Sequence, residues 1–115
     1  MNAAAAPDRG DLVWLEFDPR AGHEQSGRRP ALALSPRAYN VKVGLALFCP
    51  ITSRVKGYPF EVILPENLAI QGAVLCDQVK SLDWRARRAR RAGAVPARVV
   101  EEVLAKVSVL LDPAA

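Results

Sequence analysis

Five short apolar or alternating segments, punctuated by turn residues, constrain this chain more than any other feature of it. They are 11–17 (DLVWLEF), 31–35 (ALALS), 45–51 (LALFCPI), 60–64 (FEVIL) and 73–82 (AVLCDQVKSL). Successive side chains of a strand point to opposite faces, so runs of this pattern predict strands, and the Gly, Pro and polar residues between them predict turns. Pro50 and Pro59 cannot donate to a ladder and belong at strand ends or edges. Strands this close in sequence can bury their apolar sides in a small, strongly curved barrel, which makes the fold mainly β. Towards the C-terminus the period changes. Val99, Val100, Val103, Leu104, Val107, Leu110 and Leu111 recur at helical spacing behind Pro96, predicting an amphipathic helix. Glu101 and Glu102 are placed to complement its dipole, Asp112-Pro113 closes it, and no Ser, Thr, Asp or Asn precedes Pro96 as a cap. Short helical turns are expected at 36–41 and 84–91.

At 115 residues, half of them apolar, the chain is expected to be one domain over 10–112, preceded by a loose tail at 1–9. Every apolar run is broken well short of the ~20 residues that cross a bilayer, and the start has no basic residues ahead of an apolar stretch. No membrane association and a cytoplasmic location follow as expectations. Cys49 and Cys76 lie in apolar runs without metal-ligand spacing, and the single histidine, His23, sits in a polar stretch. One His and two distant Cys do not make a zinc site, and they offer little to a Ser/His/Asp or Cys/His nucleophile, so neither metal nor cofactor is expected.

Charge is more informative. The net charge is +4, yet Arg85, Arg87, Arg88, Arg90 and Arg91 fall within seven residues; removing those five leaves the remainder at −1. No Asp or Glu lies between Asp83 and Glu101 to pair with them locally. The cluster therefore reads either as a patch for a polyanion or as a solvated, salt-bridged loop. Two polar loops add to it. Residues 18–29 (DPRAGHEQSGRR) are polar, with no apolar anchor larger than Ala21, and deliver Arg28 and Arg29 directly before Pro30, where the chain must become extended. Thr52, Ser53, Arg54, Val55, Lys56 and Gly57 follow the third segment. If the barrel brings both loops to one end, guanidinium forks, a lysine and two hydroxyls share a groove. Such a groove suits a phosphodiester, because arginine binds phosphate oxygens bidentately and stabilises added negative charge in a transition state. RNA carries its own nucleophile in the 2′-hydroxyl, so no cofactor is required. Residue chemistry alone leaves nucleolysis beside simple nucleic-acid binding.

The strings GDLVWLEFDPRAGHEQSGRRPALALSP (10–36), CPITSRVKGYPFEV (49–62) and DQVKSLDWRAR (77–87) resemble the MazF/PemK family of bacterial toxins, in register from about Gly10 to Leu111. The resemblance implies an SH3-like barrel with short helices and a sequence-specific, metal-independent endoribonuclease of single-stranded RNA, such as mRNA. It implies cleavage to a 2′,3′-cyclic phosphate and a 5′-hydroxyl. Carried over by motif, Arg29 and Thr52 become the catalytic pair, Arg29 in proton transfer and charge stabilisation and Thr52 as a hydroxyl donor. Glu24, Gln25, Gln78 and Lys80 match segments implying RNA contacts, joined by Arg28, Ser53 and Lys56 of the two loops. The implied partners are a homodimer mate and a cognate MazE-like antitoxin, in a heterohexamer-type complex, with the arginine cluster at 85–91 serving antitoxin or RNA.

One departure is visible: members of the family often carry His where this chain has Arg28, so the imidazole with a pKa near neutral is missing. If that His acts as general base, Glu24 is the substitute; if it binds phosphate, Arg28 serves equally. The alternative readings are a non-catalytic nucleic-acid-binding barrel and a gyrase poison of the CcdB type. The latter depends on a terminal Trp-Gly-Ile, whereas this chain ends Asp112-Pro113-Ala114-Ala115.

Overall fold

A computed structural model describes residues 6–16 and 27–114. The expected mainly β architecture with a C-terminal helix forms. In chain order come β1 (Asp11–Glu16), β2 (Arg28–Ala33), α1 (Arg37–Val43), β3 (Ala46–Thr52), β4 (Glu61–Ile63), β5 (Ala73–Leu75), β6 (Lys80–Leu82), β7 (Arg90–Ala94) and α2 (Ala97–Leu111). The antiparallel order is β4-β5-β3-β2-β1-β7, with β6 also on β3.

Pleating explains why the sheet carries two cores. Leu12, Leu32, Cys49 and Ile51 point to one side and pack with Val62, Val74 and the helix residues Val99, Val103 and Val107. Their neighbours Val13, Leu15, Ala31, Ala33 and Phe48 point to the other side, closed by Leu82 and Trp84. Burial pushes the Cys49 thiol up to about 12 and the Cys76 thiol to about 11, so both are neutral core thiols at physiological pH. The helical stripe divides: Val99, Val103 and Val107 are buried, whereas Leu110 and Leu111 remain exposed. No helix is long and apolar enough to cross a membrane among the described residues.

Four expectations need correction. The segment 73–82 is not one strand. The three steps from Phe48 to Ile51 on β3 are faced by six from Lys80 back to Val74, and the surplus is taken up by a 3-10 turn at Cys76–Gln78. The helical turn expected over 84–91 is shorter than that: Arg87 N–H donates to Asp83 O (3.0 Å), the bond of a single helical turn, Ala89 N–H donates to Trp84 O (2.9 Å) as the chain reverses, and β7 begins at Arg90. Glu101 and Glu102 miss the first turn of α2, which holds no acidic residue. Of the tail expected at 1–9, residues 6–9 pack onto the domain, and residues 1–5 lie outside those described. Ala6 and Pro7 are buried, and Asp8 accepts the backbone N–H groups of Arg37 and Arg9, each at 2.9 Å. The Arg37 N–H is the main reason that the Asp8 carboxyl lies below its ordinary range.

The anchor for that packing is Asn40. It is fully buried, donates through Nδ2 to Pro7 O (2.8 Å) and Ser35 O (3.0 Å), and accepts the Ser35 hydroxyl at 2.6 Å. Its backbone carbonyl accepts the Trp84 indole N–H at 3.0 Å and, at 2.9 Å, the N–H of Gly44, whose φ of +83° ends α1 in the left-handed conformation that glycine adopts freely. Asn40→Ala strands several buried polar atoms at once, and we expect a loss of about 3 kcal/mol in urea unfolding.

Candidate active site

β2 runs out of the polar loop and β3 runs into the other one, and their antiparallel register decides what meets. Ala31 pairs with Pro50. Carrying that register two residues further brings Arg29, the residue before Pro30, level with Thr52, the last residue of β3. Both line one open cleft of about 990 Å³, together with Ser53, Arg54, Gln78 and Lys80. Lys80 arrives because β6 pairs with β3 at Phe48, and Gln78 because the 3-10 turn projects from the β5–β6 line just before it. The cleft thus gathers Arg29, Thr52, Ser53, Gln78 and Lys80 from three regions of the chain.

Its electrostatics have one sign. Arg29, Arg54 and Lys80 line it, and no carboxylate does among the described residues. The Thr52 hydroxyl accepts the N–H of Arg54 at 3.0 Å, which orients the oxygen and leaves its proton to be donated into the cleft. A cationic cleft that also holds an oriented hydroxyl donor suits an anion that gains charge during reaction.

Other predicted residues lie elsewhere. Arg28 alternates away from Arg29. It stands across from Glu16, 3.9 Å from that carboxylate, donates to Trp14 O at 3.3 Å, and lines a separate hollow with Glu16, Arg88 and Arg90. Lys56 is outside the cleft as well, its ammonium 5.9 Å from the Tyr58 ring and its N–H held by the buried Glu61 carboxylate. Glu24 and Gln25 lie outside the described residues.

The arginine cluster is less free than its sequence neighbourhood implies. β7 lies antiparallel to β1, so Arg91 reaches the buried Asp11 carboxylate at 3.1 Å from 80 residues away. Arg87 donates to Glu16 O at 3.0 Å, and Arg85 lies 5.4 Å from the Trp84 ring. The acidic partner missing from the local sequence is therefore supplied across the sheet.

Two cleft residues escaped sequence reading. Trp14 sits in an apolar run and reads as core, but it is 39% exposed at the cleft wall, where an indole face suits base stacking. Arg54 lies between Thr52 and Lys56, and its cationic side chain in a polar loop was the available signal.

A small β protein with a cationic cleft built on Arg29 and Thr52 belongs with binders or cleavers of phosphodiesters. Residues 8–111 match the family described as PemK-like, MazF-like toxin of type II toxin-antitoxin system. The chain is 50% identical over 111 residues to the endoribonuclease toxin MazF of Escherichia coli (strain K12), covering 96% of this chain and 99% of that one. It is 35% identical over 111 residues to the Escherichia coli endoribonuclease PemK, covering 90% and 81%. The crystal structure of MazF (Form-I) from Deinococcus radiodurans superposes with a TM-score of 0.84 at 59% identity, over 92% of this chain and 96% of that chain. A MazE-MazF crystal structure (Form-II) from the same organism gives 0.83 at 54%, over 92% and 95%. The chain belongs to the MazF/PemK toxin family.

Proposed function

We propose that the Arg29–Thr52 cleft is where this endoribonuclease toxin cuts single-stranded RNA. The observation that carries the reading is that Arg29 and Thr52, whose hydroxyl oxygen accepts the Arg54 N–H, line one cleft just beyond the β2–β3 pairing. In this reading the scissile phosphate sits between them. The substrate's 2′-oxygen attacks phosphorus, the P–O5′ bond breaks, and the 2′-proton is removed as the leaving oxygen gains one. The products are a 2′,3′-cyclic phosphate and a 5′-hydroxyl. Arg29 neutralises charge on the non-bridging oxygens and assists proton transfer, and Thr52 donates its hydroxyl proton to one of them. Lys80, Gln78 and Ser53 hold the flanking backbone or bases, with Trp14 as a stacking face. Glu24 and Gln25 keep the RNA contacts that the family's motif implies. Arg28, paired with Glu16 away from Arg29, takes an electrostatic rather than a proton-transfer role.

The test is to incubate a long single-stranded RNA with the protein in EDTA and map the ends. Cyclic phosphate and 5′-hydroxyl ends at a short recurring sequence are expected. RNA that is bound and left intact would return the protein to the non-catalytic reading.

Action on mRNA implies a cytoplasmic toxin, and the MazE-MazF structure supports neutralisation by a MazE-like antitoxin; a homodimer within a heterohexamer-type complex is the assembly that the family resemblance implies. The hollow carrying Arg28, Arg88 and Arg90 is suited to an acidic antitoxin segment or to RNA phosphates. Arg88→Ser/Arg90→Ser should weaken antitoxin binding, with a shallower dependence of affinity on salt. Titration across a salt series checks this, and an unchanged slope would identify the two arginines as solvated surface. Arg91 is unsuitable for the purpose, because removing it would leave the buried Asp11 carboxylate with the Asp8 N–H but without its cation.

A further inference from the structure

Gly72 immediately precedes β5, on the strand that pairs with the end of β3: Ala73 lies opposite Thr52. Its φ is +121°, a conformation that side-chain-bearing residues rarely adopt. A β-carbon there would also overlap the Thr52 carbonyl oxygen, lie 2.9 Å from the Thr52 carbonyl carbon and 3.2 Å from Cα of Ser53. The backbone of Gly72 therefore packs directly on the backbone that carries the Thr52 hydroxyl.

If that contact were forced apart, one side would yield. Gly72 is held from behind, its carbonyl accepting Leu64 N–H at 2.8 Å, and it leads into the fully buried pair Ala73 and Val74. Thr52 is half-buried and opens into the exposed segment 53–59. The Thr52–Ser53 side has far less packing to lose, so it moves, and the Oγ1–Arg54 hydrogen bond that aims the hydroxyl moves with it.

We infer that Gly72 is a positioning residue for cleavage: the absence of its side chain sets the place of the Thr52 hydroxyl relative to Arg29. This rests on the role proposed for Thr52. A misplacement of about 1 Å at a reacting group costs up to about 10²-fold in rate. Gly72→Ala should therefore lower kcat by about 10- to 100-fold on a defined single-stranded RNA oligonucleotide, with KM nearly unchanged, because the interaction lost is one made in the transition state. Gly44→Ala is the matched control. Its φ is +83°, but nothing lies within 4 Å of the added carbon, so it carries the backbone cost without a displacement. It should cleave like wild type at a temperature where both variants are folded.

A double-mutant cycle supplies the reading that general destabilisation would not move. On a Thr52→Ala background, Gly72→Ala should add less than about threefold, since there is no hydroxyl left to misplace. Undiminished loss on that background, or kcat of folded Gly72→Ala within threefold of the Gly44→Ala control, overturns the inference. If Thr52→Ala cleaves like wild type, the role of Thr52 has failed as well; if Thr52→Ala is inactive and Gly72→Ala is not, only the role of Gly72 has. Should L-alanine prevent folding, D-alanine at position 72, introduced by ligation at the native Cys49 and Cys76, accommodates the positive φ and places its methyl on the other side of Cα. Folded D-alanine protein is expected to cleave within a few-fold of wild type, and inactivity would overturn the inference.

Discussion

An RNA whose single ribose at the cut site is replaced by deoxyribose should not be cleaved there at all, even at long incubation and high enzyme. The cleft brings Arg29, Arg54, Lys80 and the Thr52 and Ser53 hydroxyls to the substrate, and the proposed mechanism uses none of them as the nucleophile. In that mechanism attack comes from the substrate's own 2′-oxygen, held next to phosphorus at the high effective concentration of an intramolecular reaction. Deleting that one oxygen removes the nucleophile and leaves every phosphate contact in place. The modified strand should therefore bind with near-normal affinity and compete with unmodified RNA while remaining intact. Continued cutting at the deoxy position would mean that water or a protein group attacks, and the mechanism would be wrong.

The second large effect is expected at the protein side of the same bond. Arg29→Ala and Thr52→Ala should each lower kcat by about 10²- to 10³-fold, the range found when one preorganised transition-state donor is deleted, about 2.7–4 kcal/mol. Arg29 is exposed and Thr52 half-buried at strand ends, and neither belongs to the two cores, so stability should change by less than about 1 kcal/mol. Conservative replacements separate their roles. Thr52→Ser retains the hydroxyl and its place at the turn, and should recover most of the activity that Ala loses. Arg29→Lys keeps the charge without the planar fork and should recover much less. Single-turnover rates on a short RNA, with unfolding curves for each variant, check both statements; either alanine variant within a few-fold of wild type would remove that residue from the catalytic pair.

Much of this site was legible before any fold was known. Arg29 before Pro30 and Thr52 after an apolar run sit at strand boundaries because the local sequence puts them there: proline forces the preceding residue to be extended, and hydrophobic alternation stops where the polar loop begins. The arginine cluster was visible too, but its partners were not. Arg91 is bound by Asp11, and Arg87 by the Glu16 carbonyl, through a strand that the sequence disguises. β7 reads RRAGA, with neither alternation nor a β-branched residue, and it forms because β1 is apolar on both faces and has an unpaired edge to satisfy. The exposure of Trp14 is hidden in the sequence for a related reason. Leu12, Val13 and Leu15 beside it are buried, whereas Trp14 lies where the end of β1 forms the cleft wall.

By itself, then, the sequence determined local properties: which apolar segments hold strands, though neither β7 nor the break within 73–82, where α2 begins, which loops are cationic, and which two residues match the family's motifs for the proposed chemistry. These depend on periodicity, on the fixed φ of proline and on side-chain type, all of which act over a few residues. Only the tertiary structure decided which of the cations share a cleft. Arg28 and Arg29 are adjacent in the chain, yet pleating sends one towards Glu16 and the other to the level of Thr52. The bare backbone of Gly72 meets Thr52 because antiparallel pairing brings β5 alongside the end of β3. Register is a property of two strands together, set by how their apolar faces pack, and no single segment contains it.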